Sequence, residues 1–102
     1  MIRITVSYPT ALGQRFDHDY YQKQHAALIR ELLQPLGLQR LEIDRVVSDG
    51  GGKPAPFIAA AHMLFNDIAT FKAAMAQHGK ALAADLDNYT DTAPSVLISE
   101  TY

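Results

Sequence analysis

The chain has 102 residues, of which 48% are hydrophobic and 20% charged, with a net charge of −2 and no cysteine. That length predicts one domain, residues 1–102, and the missing cysteine excludes disulfides, thiolate catalysis and cysteine-held zinc or iron–sulfur centres. Lys and Arg are scattered singly, so neither a nucleic-acid footprint nor a cationic membrane-surface helix is expected.

Ile2, Ile4, Val6 and Tyr8 alternate with Arg3, Thr5 and Ser7, the pattern of a strand with one apolar face, ended by Pro9. Strand character directly after Met1 leaves no signal-peptide core, and no apolar run is long enough to span a bilayer. A soluble, cytoplasmic protein is expected. A long helix is predicted from about Asp17 to about Leu36. Asp17 is a natural N-cap, and Phe16 and Tyr21 have hydrophobic-staple spacing. Its apolar stripe reads Tyr21, His25, Leu28, Leu32 and Leu36, which puts an imidazole on the buried face one turn from a phenol. Gly37 suits a left-handed terminator.

Residues 38–47 form a weaker strand. Leu41, Ile43 and Arg45 share a face against Arg40, Glu42 and Asp44, a charge mix that suits a sheet edge. Residues 48–54 then read as a flexible hairpin connection, because the three glycines before Lys53 lack the Gly-Lys-Ser/Thr sequence of a phosphate loop. Phe57 to Phe65 is apolar on both faces, which predicts a central, covered strand. His62 falls on its second face and reads as a histidine turned to a partner surface. Asn66 is the expected cap of a second helix with Ile68, Phe71, Met75 and His78 on its stripe. Gly79 is its expected stop, followed by a short helical segment from Lys80 to Leu86. A polar run, Asp85 to Asp91, holds another phenol at Tyr89, and a last strand starts near Val96.

The order strand, helix, strand, strand, helix, strand is the split βαβ, ferredoxin-like arrangement. The crossover rule sets strands 1 and 3 side by side at the centre, expected to run parallel, with both helices on one face. The other face then wants a cover, most simply a second subunit. No two histidines are spaced i,i+4, and metal, nucleophile-elbow and dinucleotide motifs are all absent. What remains is His, Tyr and Asp around an apolar space, a set suited to proton transfer on an apolar small molecule.

These residues also resemble a known family. Tyr8-Pro9, Phe16-Asp17-x-Asp19-Tyr20-Tyr21-x-x-x-His25, Gly37-Leu38, Phe65, His78-Gly79 and Asp85-Leu86-x-Asn88-Tyr89-Thr90-Asp91-x-x-Pro94 together look like the EthD family. The resemblance spans nearly the whole chain. It implies an α+β, ferredoxin-like βαββαβ subunit with a four-stranded antiparallel sheet, helices on one face, and two copies closed into a dimeric α/β barrel. The family is named for a protein encoded with an ether-degrading monooxygenase system. The wider superfamily includes cofactor-free monooxygenases, isomerases, polyketide cyclases and haem-degrading enzymes.

By that likeness His25 lines a cleft between sheet and helices, and Asp85, Asn88 and Tyr89 close its mouth. The expectation is a small hydrophobic ligand, no cofactor and no metal. His25 is the general acid or base, Asp85 orients it, and Tyr21 or Tyr89 holds an oxygen. Tyr8, Tyr21, His78 and Asn88 form the expected binding set. An enzyme of the oxidoreductase, isomerase or cyclase type is one reading. A non-catalytic ligand-binding accessory of an oxygenase system is the alternative.

Overall fold

The computed structural model describes residues 1–102. Strand β1 (Ile2–Pro9) leads into a helical segment, α1 (residues 18–36). Strands β2 (Arg40–Arg45) and β3 (Phe57–Phe65) form a hairpin, helix α2 (Ile68–Ala84) follows, and β4 (Ser95–Glu100) closes the sheet. The order across the sheet is β2-β3-β1-β4, so the strongly apolar β3 lies inside, next to β1, as its composition predicts.

β1 and β3 are antiparallel, with Ile4 opposite Met63 and Val6 opposite Ala61. This corrects the expected parallel pairing. The α1 crossover returns the chain in the direction of β1, but the β2–β3 hairpin reverses it once more before β3 reaches β1. β4 pairs antiparallel with the other side of β1, and every neighbouring pair is antiparallel.

One face of the sheet carries the core. Ile2, Ile4, Met63 and Phe65 pack against Ile29 and Leu33 of α1 and Phe71, Ala74 and Leu82 of α2. Both helices therefore cover the same face. No helix is long and apolar enough to cross a membrane. The opposite face of β3 carries Ile58, Ala60, His62 and Leu64. His62 Nε2 lies 2.8 Å from Asp44 Oδ2 there, beside Arg3, Thr5 and Glu42. That face is more polar than the sequence of β3 alone suggests, because its neighbours β1 and β2 put charged side chains on it.

Within α1 the cap is as expected: Asp17 accepts from the Tyr20 amide at 3.0 Å, and Phe16 packs edge-on against Tyr21 at 5.1 Å. Between Tyr21 and His25 the helix widens into a π turn, with the Ala26 amide reaching back five residues to the Tyr21 carbonyl. The wider turn moves the buried line. It runs Tyr21, His25, Ile29, Leu33, and Leu28, Leu32 and Leu36 are left half-buried at its flank. Pro35 sits in a final 3-10 turn, and Gly37 ends the segment in the left-handed region, φ 107°.

The second helix differs from expectation at both ends. Asp67, not Asn66, is its cap, with the carboxylate accepting from the Thr70 amide at 2.7 Å. Gly79 does not stop it, because tertiary packing holds the helix through that position to Ala84. The segment expected from Lys80 to Leu86 is its last turns, continued by a 3-10 turn, Asp85–Asn88.

Two glycine substitutions should therefore have opposite signs. A Cβ at Gly37 meets Thr70 Cγ2 at 2.6 Å on top of the positive φ, so Gly37→Ala should cost roughly 1–3 kcal/mol. A Cβ at Gly79 meets nothing closer than Met75 Cε at 3.5 Å, so Gly79→Ala should stabilise by roughly 0.5–1 kcal/mol. Urea midpoints of the two variants check both signs.

Candidate active site

A cavity of about 240 Å³ lies between the sheet and the two helices. Val6, Ala61, Met63, Ile29, Leu82 and Leu86 give most of its wall, and Met75, Gly79, Ala83, Pro94 and Val96 complete the apolar part. Small residues, Ala61 on β3 and Gly79 and Ala83 on α2, make part of its wall and leave room. Val96 is 54% exposed, so the open side is toward β4, which neither helix covers. No Lys, Arg, Asp or Glu lines it. Its polar wall is Tyr8, Tyr21 and His25.

His25 is 5% exposed, held in place by the π turn and by two neighbouring rings. Tyr21 stacks on it at 5.7 Å and Tyr89 lies at 4.6 Å. Its Nδ1 is 2.8 Å from Asp85 Oδ2. The other carboxylate oxygen of Asp85 accepts from the Tyr20 hydroxyl at 2.7 Å and from Asn88 Nδ2 at 2.9 Å. A carboxylate bonded to three donors is held ionised. Burial works upward on its pKa, but the bonds from Tyr20, Asn88 and His25 outweigh it and the net shift is down. For His25 burial is the larger effect and lowers the pKa, with Asp85 opposing it. The imidazole is therefore neutral at pH 7.

Proton positions follow from valence. An ionised carboxylate can only accept, so Nδ1 carries the imidazole proton and Nε2 is bare. Nε2 faces the Tyr89 hydroxyl at 3.3 Å, and the Tyr89 hydroxyl is 2.7 Å from that of Tyr8. Burial raises the pKa of Tyr89, and of Tyr8 and Tyr21 beside it, so all three are phenols. Tyr89 and Tyr8 are 0% and 2% exposed. A hydrogen-bonded line thus runs from Asp85 through His25 and Tyr89 to Tyr8 at the cavity. The Tyr21 hydroxyl is buried beside it without a partner.

The 85–92 segment is fastened to the start of α1. The Asp17 amide donates to the Tyr89 carbonyl at 2.7 Å, Thr90 Oγ1 to the Arg15 carbonyl at 2.9 Å, and the Arg15 guanidinium to the Asp87 carbonyl at 2.8 Å. Asp85 and Tyr89 consequently stand behind His25 rather than across a mouth, and of this segment Leu86 reaches the cavity. Asn88 is exposed and acts on Asp85. His78 is half-buried, one residue before Gly79, and does not line the cavity. No group of three or more His, Asp or Glu converges as a metal site. Sequence reasoning passed over Tyr20, which lies off the stripe of Tyr21, about 100° round the helix. No spacing rule links it to Asp85, 65 residues away.

The EthD domain pattern matches residues 10–93. An EthD-like protein from Ralstonia eutropha JMP134 is 33% identical, with a TM-score of 0.88 over 97% of this chain and 89% of that one. An EthD family protein from Bacillus halodurans C-125 is 22% identical, with a TM-score of 0.77 over 100% and 99%. HapK from Hahella chejuensis shares the fold at 19% identity, with a TM-score of 0.65 over 100% and 93%. No curated protein matches this chain.

The lowered pKa of His25 sets a pH dependence. Below about pH 6.5 the unfolded chain protonates this histidine while the folded chain keeps it neutral. The unfolded state then binds more protons, so the stability that His25 contributes is present above about pH 6.5 and is lost as pH falls through the folded pKa. Each unit of depression is worth about 1.4 kcal/mol. His18, also lowered by burial, adds a slope of the same sign. In urea melts at pH 7.5 and 5.5, His25→Gln should lose less stability on acidification than the parent.

Proposed function

Because this chain belongs to the EthD family, we propose that it is a small cofactor-independent enzyme that moves protons on a neutral, apolar organic compound held in the cavity. One observation carries the reading: the Asp85–His25–Tyr89–Tyr8 line begins at a satisfied carboxylate and ends on the wall of an otherwise apolar cavity. A ligand-binding accessory protein needs the cavity and at most a fixed imidazole tautomer; a buried carboxylate placed to stabilise the imidazolium formed on proton uptake serves catalysis. An acid–base enzyme needs both the cavity and that carboxylate.

His25 is the proton acceptor and donor. Asp85 fixes its ring and stabilises the imidazolium that forms, and Tyr20 and Asn88 keep Asp85 in place. Tyr8 touches the substrate and exchanges protons with Nε2 through Tyr89. Isomerase, cyclase and cofactor-free monooxygenase chemistry share this opening step, removal of a substrate proton. An isomerase or cyclase returns the proton to another atom, whereas a monooxygenase passes the electrons of the resulting anion to dioxygen. The reading assigns the protein to cytoplasmic degradation or secondary metabolism, ether degradation included. It also includes a homodimer in which a second copy covers the outer face of the sheet.

The test is solvent deuterium incorporation, followed by NMR, into a panel of neutral one- and two-ring compounds with exchangeable C–H bonds. The parent should catalyse exchange in some of them. His25→Ala should remain folded and lose it, and Asp85→Asn should lower the rate by roughly 10²–10⁴-fold. Binding of the panel without exchange in any member would favour the accessory reading. Light scattering at micromolar concentration should give twice the chain mass; a monomer would sink the dimer.

A further inference from the structure

The line of hydrogen bonds has a direction, and that direction selects a ligand class. Each phenol has one proton to give. Nε2 of neutral His25 can only accept, so Tyr89 gives its proton to Nε2. The Tyr89 oxygen then can only accept, so Tyr8 gives its proton to Tyr89. Tyr8 lines the cavity, and its oxygen is left with lone pairs and no proton.

We propose that the cavity is selective for apolar compounds bearing a hydroxyl group, with the ligand O–H donating to the Tyr8 oxygen. The inference rests on the cavity being the ligand site, as proposed above. The neighbouring Tyr21 ring packs edge-on against Tyr8 at 5.3 Å, and its hydroxyl has no partner. A ligand hydroxyl that donates to Tyr8 still has lone pairs, and it offers the neighbouring Tyr21 hydroxyl an acceptor as well. A ketone or ether of the same size leaves the Tyr8 oxygen facing another acceptor, which costs affinity. Charged ligands are selected against, because no ionised side chain lines the wall. An apolar cavity of about 150 Å³ holds a benzene. On that scale this one takes roughly ten non-hydrogen atoms, a two-ring hydroxyarene or a comparable alicyclic alcohol.

Asp85→Asn provides an internal control. Tyr20 and Asn88 both donate to Oδ1 of Asp85, so the amide oxygen of the variant should face them and its NH₂ should face His25. Nδ1 must then accept, Nε2 carries the proton, and every bond in the line reverses. Tyr8 would point its own proton at the cavity.

The experiment is calorimetric titration at pH 7.5 with 1-naphthol, 1-tetralone and naphthalene, three neutral two-ring probes of similar size. The parent should bind 1-naphthol at least tenfold more tightly than 1-tetralone or naphthalene. Asp85→Asn should invert the order of 1-naphthol and 1-tetralone. If that variant does not fold, Tyr89→Phe, which cuts the line and frees the Tyr8 proton, should abolish the tenfold preference. Equal binding of 1-naphthol and 1-tetralone by the parent overturns the inference. So does a folded Asp85→Asn variant that keeps the parental order. Naphthalene binding as tightly as 1-naphthol removes the hydroxyl selectivity and leaves the ligand cavity standing. If none of the three binds, the cavity reading falls with it.

Discussion

The Asp85 carboxylate is the group on which the rest of the site depends. It is nearly buried and ionised, a state that costs several kcal/mol unless its lone pairs are met. Tyr20, Asn88 and His25 meet them, at 2.7, 2.9 and 2.8 Å. Two of those donors come from α1 and one from the turn that follows α2. Satisfying one charge therefore joins the first turns of one helix to the end of the other, across 60 residues of chain. Charge-assisted bonds of this kind contribute about 1.5–3 kcal/mol each. The same requirement fixes the imidazole tautomer, and the tautomer fixes the polarity of everything between His25 and the cavity.

Around that bond the protein spends apolar volume unevenly. Tyr8, Phe16, Tyr21 and Tyr89 crowd the near side in edge-on and tilted pairs with ring centres 5.1–6.0 Å apart. On the far side Ala61, Gly79 and Ala83 leave space. A helix-interior glycine that lines a cavity, at a position where a methyl group fits, gives up helix propensity for room. The π turn belongs to the same economy, since π turns concentrate at functional sites. It carries the buried line through His25 to Ile29 and Leu33, so that the imidazole meets the cavity without losing its place on the helix.

Much of the architecture was legible in the residues. The alternation of β1, the two-sided apolarity of β3, the Asp17 cap with its Phe16 staple and the Gly37 terminator are local rules with local causes. Each appears where the sequence puts it. The misreadings also have local causes. Asn66 and Asp67 are both good caps, and adjacent positions are separated only by the exact path of the chain. Gly79 is a stop signal that packing overrode. The parallel expectation for β1 and β3 counted one crossover and left out the reversal made by the hairpin. His25 was legible as a misplaced imidazole on a buried stripe. Tyr20 was not, because its partner is set by where the end of α2 lands.

The sequence by itself determined which chemistry is available: no thiol, no metal spacing, and an imidazole among phenols and carboxylates. Hydrophobic periodicity and capping, acting over a few residues, also set the order and type of nearly every element. The tertiary structure alone decided which of those groups meet. Asp85 reaches His25, Tyr89 bridges His25 to Tyr8, His78 stays outside the cavity and Asn88 serves the carboxylate. Such contacts depend on how two helices and four strands pack, and no local period encodes a distance between residues 25 and 85.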